Sequence, residues 1–302
     1  MKYYLSIDAG TSVIKTVIFS QEFKIKFKSS VENKVQTDPK GKSEINMNSF
    51  WSLTSKLIKS SIKKSKIKNL DILGVGITGN MVGVWPVNTK GKSVRNAILW
   101  NDARSKEIFD KIQINNPKIY QNIFDLTGSI VQFGCTIPVI KWLEKNEPQI
   151  IKKTDYFLTC KDWIRLNLTN EFNNDHTERA VAPGDIKKAD LSLKIFNLLK
   201  LNKKYLSKFP QIKKSQDIAG YITSKAARET GLLNGTPVII GLGDVPASAI
   251  GVGAIYNNQT STIIGTTCHN YLVSSKPIFF PKNSGLLFYS PNNQWLRTMI
   301  NV

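Results

Sequence analysis

No stretch of the 302 residues approaches 18 consecutive apolar positions, which excludes a membrane-spanning helix. Cysteine is scarce: Cys135, Cys160 and Cys268 are scattered, odd in number and without metal-ligand spacing. That argues against a disulfide framework and for a reducing, cytoplasmic setting. The opening Met1-Lys2-Tyr3-Tyr4-Leu5-Ser6-Ile7-Asp8 meets an acid too early for a signal peptide's apolar region. Linkers and low-complexity tracts are missing as well. Lys plus Arg total 42 against 22 acids, a net charge of +20, yet only Arg95, Arg104, Arg165, Arg179, Arg228 and Arg297 are arginines. A nucleic-acid surface draws on arginine for bidentate contacts, so neither nucleic acid nor a membrane is an expected partner. Runs such as Lys63-Lys64-Ser65-Lys66-Ile67-Lys68 read instead as a solvated helix end. The rest is ordinary: 41% hydrophobic and 21% charged residues describe a globular chain large enough for a sizeable core and roughly two domains.

Alternation predicts strands over 2–8, 12–19 and 23–28, an antiparallel meander whose first turn is Asp8-Ala9-Gly10-Thr11. Apolar residues at helical spacing from Phe50 to Ile62 predict a helix over 48–64, and Ile72 to Ile77 reads as a buried strand. Three antiparallel strands, a helix and a buried strand make an α/β arrangement with a mixed sheet. Further on, a helix over 224–230 has Ser224 as its expected N-cap. A strand from Pro237 runs into Asp244 and a small-residue helix over 245–255, and 260–264 reads as a strand delivering Gly265-Thr266-Thr267. These readings divide the chain into a first domain over 1–254 and a second over 255–302. Roughly 50 residues are too few for a typical domain, so the second is expected to be incomplete, with exposed edges and uncovered apolar faces.

Two familiar nucleotide strings carry nothing. Gly41-Lys42-Ser43 and Gly91-Lys92-Ser93 lack the leading glycine of a P-loop, and Gly74-x-Gly76-x-x-Gly79 lies inside a strand and opens no helix. The Asp8-to-Lys15 turn is more informative. Its Gly10, Thr11 and Ser12 can wrap a phosphate with N–H and O–H donors, Asp8 suits Mg²⁺, and Lys15 adds charge; a plain hairpin is the other reading. Gly265-Thr266-Thr267 repeats the kit, and two such tips facing across a cleft could hold an ATP polyphosphate. Asp244, between an apolar strand and a helix, is the candidate general base for phosphoryl transfer, or an N-cap, or both.

Taken in order, these stretches resemble the FGGY family of carbohydrate kinases, within the actin-like ATPase superfamily. The matching segments are Ile7-Asp8-Ala9-Gly10-Thr11-Ser12-x-x-Lys15, Gly76-Ile77-Thr78-Gly79-Asn80-Met81 and Ala97-Ile98-Leu99-Trp100-Asn101-Asp102-Ala103-Arg104. Lys161-Asp162-Trp163, the segment from Ala226 to Val238, and Gly241-x-Gly243-Asp244 with Gly251-x-Gly253 complete the series. The resemblance, nearest to the xylulokinase-like branch, implies an actin-like (ribonuclease H-like) fold and ATP- and Mg²⁺-dependent phosphorylation of a sugar or polyol, with a homodimer as an allowed assembly. It places Asp244 at the catalytic base, Asp8 at the magnesium-associated acid, Thr11 and Thr266 at the phosphate tips, and Asn80, Met81, Trp100 and Asp102 in or beside the substrate cleft. Val82 stands where xylulokinases usually have histidine, Leu242 interrupts a glycine run, and Cys268 replaces a glycine. A sugar-binding fragment without turnover is the alternative, and an actin-like filament or chaperone ATPase would not need the Trp100–Arg104 segment.

Overall fold

The computed structural model describes residues 1–264 and 268–301, the side chains of Ile300 and Asn301 excepted. The predicted meander is present as β1 (Tyr3–Ala9), β2 (Val13–Ser20) and β3 (Ile25–Glu32), each antiparallel to the next. Alternation explains it: Leu5, Ile7 and Ala9 of β1 and Ile14 and Ile18 of β2 point inward, and each is at most 1% exposed. Helix α1 (Met47–Ser65) follows, capped by the Asn46 side chain, which accepts from the Ser49 N–H at 2.9 Å. It ends at Lys66 in the left-handed region (φ 59°). Its buried face carries Phe50, Trp51, Leu57, Ile58 and Ile62, and a Thr16–Ser61 hydroxyl bond of 2.7 Å satisfies the polar pair where α1 crosses the sheet.

Next, β4 (Ile72–Gly79) runs parallel to β1, taking up the whole Gly74-x-Gly76-x-x-Gly79 string as strand. Helix α2 (Cys160–Thr169) and short helix α3 (His176–Val181) come before β5 (Ile218–Tyr221), α4 (Ser224–Thr230), β6 (Pro237–Ile239) and β7 (Leu242–Gly243). Thr223, not Ser224, caps α4: its hydroxyl accepts from the Ala226 N–H at 3.2 Å. The sheet order is β5-β6-β4-β1-β2-β3, with β7 also pairing β4, so the mixed sheet with its antiparallel N-terminal meander is as expected. Between Lys106 and Leu198 a set of helices forms a second core around Phe109, Ile123, Ile140, Leu143 and Phe196. Among the described residues, no helix is long and apolar enough to cross a membrane.

Helix α5 (Asp244–Gly251) leads to a second, fully antiparallel sheet: β8 (Thr260–Ile264), β9 (Cys268–Ser274), β10 (Leu286–Ser290) and β11 (Gln294–Asn301), in the order β8-β9-β11-β10. Here the expectation of uncovered faces needs correction. Tyr271, Val273, Leu286, Phe288 and Leu296 are buried against Ala249, Cys135 and the Met81–Val82 turn, which together offer an apolar wall that covers them. The outer strand β8 keeps the expected character, with Ile264 83% exposed.

Arg297 ties this sheet down. Its guanidinium donates to the backbone oxygens of Gly128 (2.6 Å), Phe280 (3.1 Å), Pro281 (2.9 Å) and Ser284 (2.5 Å). Arg297→Met keeps the length and removes every donor, leaving the buried Gly128 carbonyl and three part-buried ones without that partner. It is expected to cost about 2–3 kcal/mol and to make the segment after residue 254 the first to be cut in limited proteolysis, with β1–β4 still resistant. Equal cutting rates in variant and parent would contradict this anchor.

Candidate active site

Three parallel strands end side by side. Asp8 sits opposite Thr78 and Ala9 opposite Gly79, while Leu242 pairs Thr78 and Gly243 pairs Gly79. The carboxyl ends of β1, β4 and β7 therefore deliver Asp8, Asn80-Met81 and Asp244 to one place, the position at which open α/β sheets bind ligands. Two glycines make the approach possible. A Cβ on Gly10 would stand 2.7 Å from the Val13 oxygen, and one on Gly243 would stand 2.4 Å from the Met81 sulfur.

At the β1–β2 tip, register explains the charges: Asp8 faces Lys15 across the ladder, and their ion pair measures 3.1 Å, both groups partly open to water. Thr11 is held from two sides. The Trp100 indole N–H donates to its hydroxyl at 2.9 Å, and the Asn33 amide donates to its carbonyl at 2.9 Å. Ser12 is exposed at the tip. The second proposed tip, Gly265-Thr266-Thr267, lies outside the described residues.

Beside this point opens a cavity of about 400 Å³. Met81, Trp100 and Asp244 line it, together with residues that sequence reasoning missed: Gln132, Ser248, Tyr271, Leu286 and Phe288. The last three come from the second sheet, more than 25 positions after Asp244 in the chain, and no local signal marks them. Asn80 and Asp102 are placed differently. Asn80 is 2% exposed and braces the wall from behind, its amide donating to the Ala9 oxygen at 3.0 Å. Asp102, 1% exposed, gives its carboxylate to the Arg104 guanidinium (2.8 Å to each oxygen) and the Ser43 N–H (2.7 Å), so it holds the Trp100 segment rather than facing the cavity.

Asp244 is the first residue of α5, after the N-cap Gly243, and its carboxylate faces N–H groups of that first turn. Burial raises it, the Asp8 charge adds to the rise, and the N–H groups of Val245 and Asp244 itself pull the other way, leaving it at about 7. The Tyr271 phenol is pushed up to about 12 by burial and by Asp244. A carboxylate made hard to ionise by burial, with a neighbouring charge adding to the effect, is the arrangement expected of an acid–base site. It also fits Mg²⁺, which keeps most of its waters and takes one or two carboxylates, Asp8 being the open one of the two. No larger group of metal-ligating side chains occurs among the described residues.

Behind the cavity lies a buried charge cluster. Lys161, less than 1% exposed, pairs with Asp162 (3.3 Å), Asp175 and Glu178 (3.4 Å), and Arg165 pairs with Asp162 at 2.6 Å. Burial alone would raise Asp162, but Lys161 and Arg165 outweigh it and hold that carboxyl well below the usual range. At Glu178 the balance is reversed. Burial raises it, Lys161 opposes, and Asp175 and Asp162 add to the rise, leaving it at about 7.

Residues 3–251 match the FGGY family of carbohydrate kinases, N-terminal domain. Among curated proteins, the xylulose kinase of Bacillus subtilis is 31% identical over 271 residues, which is 88% of this chain and 52% of that protein. The xylulose kinase of Escherichia coli is 28% identical over 91% of this chain and 56% of its own length. The chain thus spans about half the length of the curated relatives it matches. Of solved structures, ligand-bound xylulose kinase from Lactobacillus acidophilus superposes with a TM-score of 0.89 at 20% identity, covering 99% of this chain and 59% of that one. Plasmodium falciparum glycerol kinase with ADP superposes at 0.87 and 21% identity, over 99% and 61%. These likenesses show the fold, which is shared over nearly all of this chain and over 59% and 61% of those two.

Proposed function

The chain belongs to the FGGY family of carbohydrate kinases, and on that premise we propose that its cleft is the acceptor site of an ATP-dependent sugar or polyol kinase in which Asp244 is the general base. The observation that carries this reading is the Asp244 carboxyl, at about 7, on the wall of an apolar cavity beside Asp8. A base of that strength accepts the proton of a sugar hydroxyl as its oxygen attacks the γ-phosphorus of ATP; the new O–P bond forms while the β,γ-bridging P–O bond breaks and ADP leaves. Mg²⁺, when bound at Asp8, neutralises phosphate charge. Thr11, Ser12 and the Gly10 backbone then hold one side of the polyphosphate, and Lys15 adds positive charge. Gly265, Thr266 and Thr267 are proposed for the other side. Met81 and Trp100 bound the sugar, Asn80 and Asp102 support them from behind, and the two domains divide near residue 254. A xylulose-like ketose is the reference acceptor, because the relatives in Bacillus subtilis and Escherichia coli are xylulose kinases.

The test is ATP consumption by the purified chain against a panel of ketoses and polyols, with Asp244→Asn as control. Turnover with one acceptor, abolished in the variant, is expected. Binding of an acceptor with no turnover would select the other reading, a sugar-binding protein without kinase activity, and neither binding nor turnover would overturn both.

The pH dependence has a defined sign. The base works ionised, so turnover should rise about tenfold per pH unit below the Asp244 pKa and level off above about 7. A profile flat from pH 5 to 8 would remove Asp244 from the role.

A further inference from the structure

Helix α3 carries two adjacent side chains that reach different strand ends. The Thr177 hydroxyl accepts the backbone N–H of Gly243 at 3.0 Å and donates its own proton to Asp175. The Glu178 carboxylate accepts the backbone N–H of Val82 at 2.8 Å. Both residues are buried, 0% and 2% exposed. Gly243 immediately precedes Asp244, and Val82 immediately follows Met81, so one short helix grips the segments that form two walls of the cavity.

At Val82 the gripped backbone is strained. Val82 has φ 53°, a left-handed conformation that a β-branched residue rarely adopts and that costs on the order of 1–3 kcal/mol. Such a conformation persists only where surroundings over-determine it, and the Glu178 acceptor is the partner that fixes the Val82 N–H. The Thr177 hydroxyl is likewise fixed in direction, since its proton is committed to Asp175 and a lone pair must face Gly243. Lys161 and Arg165 lock the base of this device: Lys161 pairs with Asp175 and Glu178, and Arg165 donates to the Ile240 oxygen at 2.6 Å, on the segment that enters β7. A cluster of three buried acids and two buried bases is costly to assemble, and hydrophobic residues would often serve stability as well. Its connections are what hydrophobic residues could not supply.

We propose that Thr177 and Glu178 are positioning residues of the acceptor site, setting the distance between Asp244 and the Met81–Val82 wall through the N–H groups of Gly243 and Val82. The inference rests on the acceptor-site reading of the cleft, and one arm of its test is independent of any sugar.

In the unaltered 302-residue chain, the Val82 and Gly243 amides should exchange with deuterium as slowly as interior amides of β4; exchange at open-loop rates for either overturns the proposal. Next, Thr177→Val and Glu178→Met remove the acceptors at similar volume, while Thr177→Ser and Glu178→Gln restore them. The readouts are the titration midpoint of the Asp244 carboxyl carbon by NMR and the affinity for D-xylulose. Thr177→Val should move the Asp244 midpoint by about half a unit or more, and Glu178→Met should weaken D-xylulose about tenfold, as expected for misplaced contacts; each restoring variant should return its value to within about twofold. Lower melting temperatures with an unmoved midpoint and affinity would show a merely stabilising role and overturn the proposal. If a variant fails to fold, the exchange result decides. If the unaltered chain binds no ketose or polyol, the acceptor reading fails, and the positioning of Asp244 is judged on exchange and titration alone.

Discussion

Asp244→Asn should lose at least ~100-fold in kcat with whichever acceptor supports turnover, the low end for removal of a general base, and should gain stability in the same experiment. The gain follows from the pKa. The folded-state value of about 7 lies above the ordinary 3.8, so the folded protein holds this proton more tightly than the unfolded chain does. Ionising the group therefore costs stability. The cost is absent below the ordinary value, grows as pH rises between the two, and is complete above about 7. Asparagine carries no such cost, so the variant should be more stable at pH 8, on the order of 2 kcal/mol after allowing for the open face of the carboxyl, and little changed near pH 4. Thermal melts at both pH values with kcat at pH 8 check the pair. A kcat loss below about tenfold, or a variant less stable at pH 8, would contradict the assignment.

The second large effect is structural. Lys161→Met should destabilise the chain by about 3–5 kcal/mol at pH 7, because it leaves the buried carboxylates of Asp175 and Glu178 without their cation. For a chain of this size that is on the order of 10 °C in melting temperature. Arg165 does not compensate, since its ion pair is to Asp162. Two further outcomes separate this cause from simple packing loss. The deficit should shrink as pH falls and Glu178, already raised to about 7, takes up a proton. Combining Lys161→Met with Glu178→Gln should recover part of it, since one of the orphaned charges is then gone. A pH-independent deficit, or additive single effects, would mean that the charges are not what the lysine holds.

What could be read from the sequence, and what could not, divides along physical lines. The meander, α1 and β4 were legible because alternation and helical spacing are local, and the tight turn at Gly10 announces itself. Asp8 and Asp244 were legible as acids that follow apolar strand residues, and Lys15 as a charge next to the Gly10 turn. The support behind them was not. Lys161 is one of many lysines, and nothing local says that this one is buried while those near Lys63 are solvated. The Glu178–Val82 contact spans 96 positions. Asp102, from its place near Trp100, reads as in or beside the cleft, and nothing local says that the fold brings Ser43 and Arg104 to its carboxylate. The apolar wall supplied by Leu286 and Phe288 depended on how the second sheet packs, which is a property of the whole fold.

The most direct test of the account is the titration of the Asp244 carboxyl carbon, followed by NMR in the unaltered chain and in Asp8→Asn. The account predicts a midpoint near 7 that moves part of the way down when the Asp8 charge is removed, burial remaining as the larger cause. A midpoint near the ordinary 3.8 in the unaltered chain would mean that Asp244 is an ordinary solvated carboxylate and that the site has no base tuned for a sugar hydroxyl.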